Sequence, residues 1–373
     1  VSTIRREDGR REDCFLFQPE NIPRRAKFPV IDAHNHLWGG WDQVEEFVST
    51  FDDVGVVCYC DLTSNISIEW VEGGYEIAPG RIEDFIETCQ GPYPNRFYGF
   101  STATFCAPHD QPLYDDVDAF VDQTLELLES DIQKGARGLK ILKEVGFLYR
   151  DASGRLINID DEKLAPIWEA AGDLGVPVLI HQSDPYGFFQ PLDEKNEHAF
   201  SLEKYSNWSF ADPKYPRKED LLKRRDNLLR NHRNTTFLLP HVANFPENLD
   251  EVARLLDENP NVYIDLSARM DELGRQPYSA REFILRYIDR IYFGTDMPPS
   301  RDMYRFHFRM FETFDEYFVP PDYDGTFGRH RWRVHGLGLP DDALKKIYHE
   351  NALRLIPGLA GDLESIFPSG DAP

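Results

Sequence analysis

Two histidines, two positions apart, close the apolar run Val30-Ile31-Asp32-Ala33-His34-Asn35-His36-Leu37. Side chains at i and i+2 of a strand share a face, so His34 and His36 can aim two imidazoles at one point. A metal ion wants that convergence and a hydrophobic core does not. Asp32 falls on the same face one step earlier, where it could orient a ligand from behind. Downstream, polar residues again stand at the ends of apolar runs: Lys140, His181, His241, Asp265 and Asp296. His34, His36, His181 and Asp296 would make an N3O donor set suited to one divalent ion. Zn2+ is the first choice, with Mn2+, Fe2+ or Co2+ tolerated. An open position on such an ion would hold water, with its pKa lowered toward neutrality. Asp296 could be a ligand, the base for that water, or both in turn. His241 suits polarising a carbonyl or carrying a proton.

The elements that must position these residues alternate. Apolar runs at 30–37, 54–60, 96–105, 136–143, 176–181, 235–241, 261–267 and 290–296 read as eight strands. Helical patterns follow nearly every one, at 42–50, 81–89, 117–134, 161–174, 218–232, 247–258, 280–287 and 341–355. Asp42 with Glu45 offers a capping box for the first helix. Residues 63–80 read as a loop. Several strands are apolar on both faces, which suits a covered parallel sheet, and eight β–α units fit a closed barrel better than an open sheet. In such a barrel the C-terminal strand ends share one rim, where chemistry sits. Scattered core histidines would have no reason to choose that rim strand after strand.

Ile31-Asp32-Ala33-His34-Asn35-His36, Ile180-His181, Pro240-His241-Val242 and Phe293-Gly294-Thr295-Asp296 together resemble the amidohydrolase superfamily. The closer resemblance is to its amidohydrolase-2 branch, which includes aminocarboxymuconate-semialdehyde and resorcylate decarboxylases. It runs from about residue 29 to the Asn351-Ala-Leu-Arg-Leu segment. The resemblance implies a distorted (β/α)8 TIM barrel in the α/β class. It implies one divalent metal on His34, His36, His181 and Asp296, with His241 working beside it. Other branches carry a carboxylated lysine bridging two metals at the end of strand four. Lys140 occupies that place; its plain reading is an ammonium paired with a carboxylate or an anionic substrate, and a second metal enters only if it is carboxylated. Lys143 and Glu144 are expected on the loop surface.

The chain divides into an irregular basic arm, 1–28, and one barrel domain, 29–373, with long insertions after strands five and eight at about 182–217 and 297–340. These insertions would overhang the site. The first holds Tyr186, Phe188, Phe189, His198 and Trp208; the second holds Tyr304, Arg305, His307, Arg309, Glu312, Arg329, His330, Arg331 and Arg333. Trp38 and Trp41 follow the first strand, and Asp265 and Arg269 lie at the end of strand seven. An aromatic-walled pocket with arginines for a carboxylate is expected, with Trp38, Trp41, Tyr186, Asp265 and Arg269 touching substrate. Residues 306–318 read as an aromatic-rich helix that packs on the barrel or on a second subunit, so a homo-oligomer is expected.

With Lys and Arg at 41 against 65 Asp and Glu, the net charge is −24, which argues against a nucleic-acid partner. No window approaches eighteen apolar residues, so no membrane span is expected. Five scattered cysteines do not form a disulfide framework, and Cys58 and Cys60 read as buried thiols. A cytoplasmic location is expected, or export if a leader preceded Val1. The leading function is hydrolysis of an amide, ester or lactone bond by metal-activated water. The alternative is metal-dependent non-oxidative decarboxylation of an aromatic or unsaturated acid. A barrel that binds a ligand without catalysis is the minor alternative.

Overall fold

The apolar runs become short parallel strands in a computed structural model that describes residues 21–37, 41–320 and 332–367. In chain order they are β1 (Val30–Asn35), β2 (Val56–Asp61), a pair β3 (Ile66–Val71) and β4 (Gly74–Pro79), and β5 (Phe97–Gly99). After these come β6 (Leu139–Ile141), β7 (Val178–Ile180), β8 (Phe237–Leu239), β9 (Val262–Asp265) and β10 (Ile291–Tyr292). β1, β2 and β5 form one parallel sheet, and β6 to β10 form a second in sequential order. Few hydrogen bonds close the two seams. Ser101 pairs with Leu139 on one side. On the other, Ala33 N–H donates to the Phe293 carbonyl at 3.0 Å, and Thr295 N–H to the His34 carbonyl at 3.1 Å. The result is a distorted (β/α)8 barrel.

Its interior is filled by side chains from alternate positions along the strands: Ile31, Ala33, Cys58, Cys60, Tyr98, Phe100, Leu179, Leu238 and Tyr292. Ile356, Leu359 and Leu363 from the last helical turns pack against the same cluster. A larger outer core joins the other strand face to the surrounding helices. The helix Val117–Lys134 shows why such helices form: Asp116 caps it by accepting from the N–H groups of Asp118 and Ala119. It then buries Phe120, Val121, Thr124 and Leu128 on one face.

Several expectations change. Residues 63–80 are not a loop: β3 and β4 form an antiparallel hairpin, with Gly73 at φ 84° in its turn. Ile68, Tyr75 and Ile77 from this hairpin line a cavity above the barrel. The first helix is Val44–Val54, preceded by a single 3-10 turn with Gln43 at the cap position. The aromatic helix is Arg301–Glu312, not 306–318. Its Tyr304, Phe308 and Phe311 are buried against the barrel, so their excess is core packing. The arm before residue 21, Trp38, Arg329, His330 and Arg331 lie outside the described residues.

One glycine holds the rim closed. A Cβ on Gly294 would lie 2.5 Å from His34 Cβ and 3.1 Å from its backbone nitrogen, neither of which can swing aside. Gly294→Ala should therefore destabilise the protein by ~1–3 kcal/mol. Urea unfolding checks this as a lower midpoint at unchanged slope.

Candidate metal centre and substrate cavity

The centre starts from β1. His34, fully buried, has Nδ1 at 2.7 Å from Asp265 Oδ2. His36 has Nδ1 at 2.8 Å from Thr63 Oγ1, and that hydroxyl reaches Asp61 Oδ1 at 3.2 Å. His241 has Nδ1 at 2.9 Å from the Ser267 carbonyl. A carboxylate and a carbonyl can only accept, and the Thr63 hydroxyl spends its proton on Asp61. Each ring therefore carries hydrogen on Nδ1 and a lone pair on Nε2, the tautomer that ligates metal with second-shell support. Burial, reinforced by Lys140, His34 and His181, pushes the His36 pKa well down and keeps the ring neutral. Burial, then Arg269, His181 and His34, does the same for His241.

Asp296 receives these nitrogens. His36 Nε2 is 3.5 Å from its Oδ1, and His34 Nε2 is 3.9 Å from its Oδ2. His241 Nε2 stands 3.5 Å from the same Oδ2. Ligand atoms of His34, His36 and Asp296 all lie within 4.8 Å of one another. His34 Nε2, His241 Nε2 and Asp296 Oδ1 are buried and find no hydrogen-bond partner among the described residues. Buried polar atoms left unpaired are costly, and neutral nitrogens converging with a carboxylate oxygen are what a divalent ion satisfies. The donor set fits such an ion.

The structure leaves His181 outside that triad. Its ring centroid is 4.6 Å from that of His241, and its Nε2, 3.3 Å from Asp184 Oδ1, is likewise buried without a hydrogen-bond partner among the described residues. Asp184 is a buried hub that also meets Lys143 Nζ at 2.9 Å and Arg269 Nη2 at 3.9 Å. Burial opposes its ionisation, but Lys143, His181 and Arg269 hold its carboxyl well below the usual range. Lys143 and Glu144, expected on the surface, are buried; Lys143 lies over the Trp208 and Phe210 rings, and Glu144 accepts from Tyr75 OH. Lys140 is fully buried, its Nζ without a hydrogen-bond partner among the described residues. Burial lowers its pKa to about 8, against the pull of Asp296, Asp265 and Glu144.

Backbone strain sets the His241 ring. His241, Val242, Ala243 and Asn244 all have φ between 51° and 60°. Such a left-handed run is costly for residues with a Cβ, β-branched Val242 above all. Two buried cations from the helix Lys218–Asn231 hold it. Arg225 donates to the Ala243 carbonyl, and Lys218 Nζ donates to the Asn244 carbonyl at 2.7 Å and the Asp184 carbonyl at 2.5 Å. Nothing in the sequence marks Lys218 or Arg225, because both sit in a run of charges that reads as a solvated helix face. Asp265 Oδ1 completes the fixing by accepting from His241 N–H and Ser267 N–H, each at 2.9 Å. Asp265 was expected to touch substrate. Instead it is fully buried behind His34 and His241, and burial is outweighed by His34 and Ser267 in keeping it ionised. Asp32 likewise turns from the imidazoles to bind the loop before Asp296. It accepts from Thr295 N–H at 3.0 Å, Thr295 Oγ1 at 2.6 Å and Tyr304 OH at 2.8 Å.

A cavity of about 170 Å3 opens over the centre, lined by His36, His181, His241 and Asp296 below. Phe188, His198, Trp208 and Trp332 form aromatic wall, and Arg269 and His307 also line it. Trp41 instead packs on Phe85 with ring centroids 6.4 Å apart, and Tyr186 is 43% exposed. Neither is among the lining residues. Of the arginines offered for a carboxylate, Arg305 donates to the Arg24 carbonyl and Arg309 pairs with Asp315 at 2.7 Å. Arg269 is the arginine that lines the cavity among the described residues.

A family model described as Amidohydrolase matches residues 31–358. The chain belongs to that family. Family and donor set together make it a metal-associated enzyme of the amidohydrolase superfamily. No curated protein matches the chain. Among solved structures, a candidate amidohydrolase from Staphylococcus aureus is 16% identical with TM-score 0.53, over 88% of this chain and 99% of that one. A dihydroxybenzoic acid decarboxylase from Polaromonas, solved with manganese and 2-nitroresorcinol, is 15% identical with TM-score 0.50, over 88% and 96%. An uncharacterised TIM-barrel protein from Bordetella bronchiseptica is also 15% identical with TM-score 0.50, over 85% and 83%. At these identities the likeness to each is one of fold.

Asp265→Asn tests how this amidohydrolase orients its ligands. The amide keeps the shape but loses the charge behind His34, so zinc affinity should fall ~10–100-fold. Competition with a chromophoric chelator measures this; an unchanged constant would remove Asp265 from the site.

Proposed function

We propose that the chain is a metal-dependent hydrolase of an amide, ester or lactone bond in a small carboxylate-bearing substrate. The observation that carries this reading is the pairing of Asp296 with His241. One carboxylate oxygen faces His36, and the other stands 3.5 Å from the His241 nitrogen that bears the lone pair. Hydrolysis needs two proton transfers, one off water and one onto the leaving group. Two adjacent carriers provide for both.

A divalent ion, Zn2+ or else Mn2+, Fe2+ or Co2+, would be held by His34, His36 and Asp296 and would supply Lewis acidity beside the scissile carbonyl. His181, close to His241 but turned to Asp184, is the residue to complete the ligand set or to contact the carbonyl oxygen. Asp296 takes a proton from water as its oxygen bonds to the carbonyl carbon. Asp296 hands that proton to the Nε2 lone pair of His241, 3.5 Å away, and His241 delivers it to the departing nitrogen or oxygen as the carbon–heteroatom bond breaks. The strained turn and the Ser267 carbonyl keep the His241 ring aimed for that transfer. Arg269 pairs with the substrate carboxylate; its contact with Asp184, at 3.9 Å, is loose enough to share. The aromatic walls exclude bulk water from the reacting bond.

The test is a panel of carboxylate-bearing lactones, aryl esters and amides, with hydroxybenzoates alongside, run in 18O-water with CO2 monitored. One 18O atom in the product acid is the expected result. CO2 release without 18O uptake would contradict it and move the chain to the decarboxylase alternative. Asp296→Asn should lower kcat by ~10^2–10^4-fold. Arg269→Ala should lower kcat/KM by ~10–100-fold for a carboxylate substrate, from the loss of a charge-assisted contact. The esterified analogue should lose far less, and the thermal midpoint should move little. An unchanged kcat/KM would sink the role given to Arg269.

A further inference from the structure

The β3–β4 hairpin takes no part in the catalytic reading, yet it walls the same cavity. Its strands alternate: Ser67, Glu69, Glu76 and Ala78 are exposed on one face, while Ile68 and Ile77 stand on the other. Ile68 and Ile77 are direct cross-strand partners, so their side chains lie together, and both line the cavity. Ile77 is buried, but Ile68 is only half-buried. Tyr75, two residues from Ile77 on the same face, and Leu142, just past β6, also line the cavity. The polar tips on this side are spent within the protein. Tyr75 OH donates to Glu144 Oε1 at 3.0 Å, and Lys143 Nζ to Asp184 Oδ2 at 2.9 Å.

Contacts with the insertion after β7 fix this wall. Asn207 N–H donates to the Gly73 carbonyl at 3.0 Å, and the Trp70 ring lies 5.7 Å from that of Tyr205, which stacks on Trp208 at 4.3 Å. Round the barrel the strands run β1, β2, β5, β6, β7, β8, β9, β10. The hairpin leaves β2 and returns to β5, and β5 is four strands from β9 in that closed series. It therefore stands across the barrel axis from Arg269 and Glu272, which line the cavity just past β9. The cavity thus has a charged end and an apolar end, with His36, His241 and Asp296 on the floor. Apolar surface that faces a wet cavity is costly, and a hydrocarbon group seated on it removes that cost.

We infer that the hairpin end is a subsite for a hydrocarbon group of the substrate, with Ile68 and Ile77 as its specificity-determining residues. The substrate is then two-ended, with a polar, scissile group over the metal centre and an alkyl group of several carbons against the hairpin. This rests on the metal-centred cavity of the reading above, and it does not depend on whether the bond broken is C–O, C–N or C–C.

Titration calorimetry on the zinc-loaded full chain tests this with straight-chain hydroxamates, from acetohydroxamate to hexanohydroxamate, whose common head group chelates zinc. Affinity should rise ~2–4-fold per added methylene until the chain fills the cavity. Ile68→Ser should weaken hexanohydroxamate ~3–10-fold and leave acetohydroxamate within about twofold. Ile68→Trp, which fills the subsite, should cost the long chains more than Ile68→Ser does and likewise spare the shortest. The inference is overturned if affinity does not rise with chain length, non-binding of every member included. It is equally overturned if both variants keep the slope of the parent chain, or if they weaken acetohydroxamate as much as hexanohydroxamate. The slope without hydrolysis of any ester, lactone or amide sinks the hydrolase reading alone; hydrolysis with a flat slope sinks this inference alone.

Discussion

Every imidazole nitrogen that faces the centre does so because the other nitrogen of its ring is pinned. Asp265 holds His34, Thr63 holds His36 and the Ser267 carbonyl holds His241, each through Nδ1. Since the partners accept, the protons are fixed on the outer edges and the lone pairs converge on Asp296. The rest of the rim serves that convergence. Asp32 and Asn35 bind Thr295, so the loop that carries Asp296 is tied to the strand that carries His34 and His36. Gly294 lets those two segments touch. The left-handed turn at 241–244 aims the third ring, and buried Arg225 and Lys218 hold its carbonyls.

Most of the barrel was legible because its strands are apolar on both faces and its helices on one. The His-x-His pair, His241 and Asp296 were legible because polar residues broke that pattern at strand ends. Other features follow from contacts that spacing does not encode. Asp265 obeys the same strand-end rule as Asp296, yet it stands behind the imidazoles because β1, on the far side of β10, brings His34 onto it. Lys143, Lys218 and Arg225 look solvated, but carbonyls or carboxylates of distant loops accept them in the interior. His181 shows a limit of another kind: its strand end is where the motif puts it, while its side chain turns to Asp184, a residue three positions on. The β3–β4 hairpin was missed because Gly, Ser and Asn around it read as loop, and the alternation of Ile66, Ile68 and Trp70 is short.

The cavity joins two different chemistries. Its floor offers lone pairs and a carboxylate, which call for a cation. Its walls offer aromatic faces and one guanidinium, that of Arg269. Acidic residues on the wall are largely answered within the protein: Asp184 by Lys143, and Glu272 by His198 at 3.4 Å. Arg269 is thereby left with the loosest of these pairings, and it is the charge with most to offer a ligand.

Metal content per chain, measured by elemental analysis on protein purified without added metal or chelator, tests the central claim most directly. The account predicts about one divalent ion per chain, lost together from His34→Ala and Asp296→Ala. About two ions would add Lys140 to the ligands and replace the single-ion centre with a bridged pair. No ion, even after reconstitution with zinc or manganese, would contradict the account, because the converging lone pairs of His34, His36 and His241 would then have no physical reason to be there.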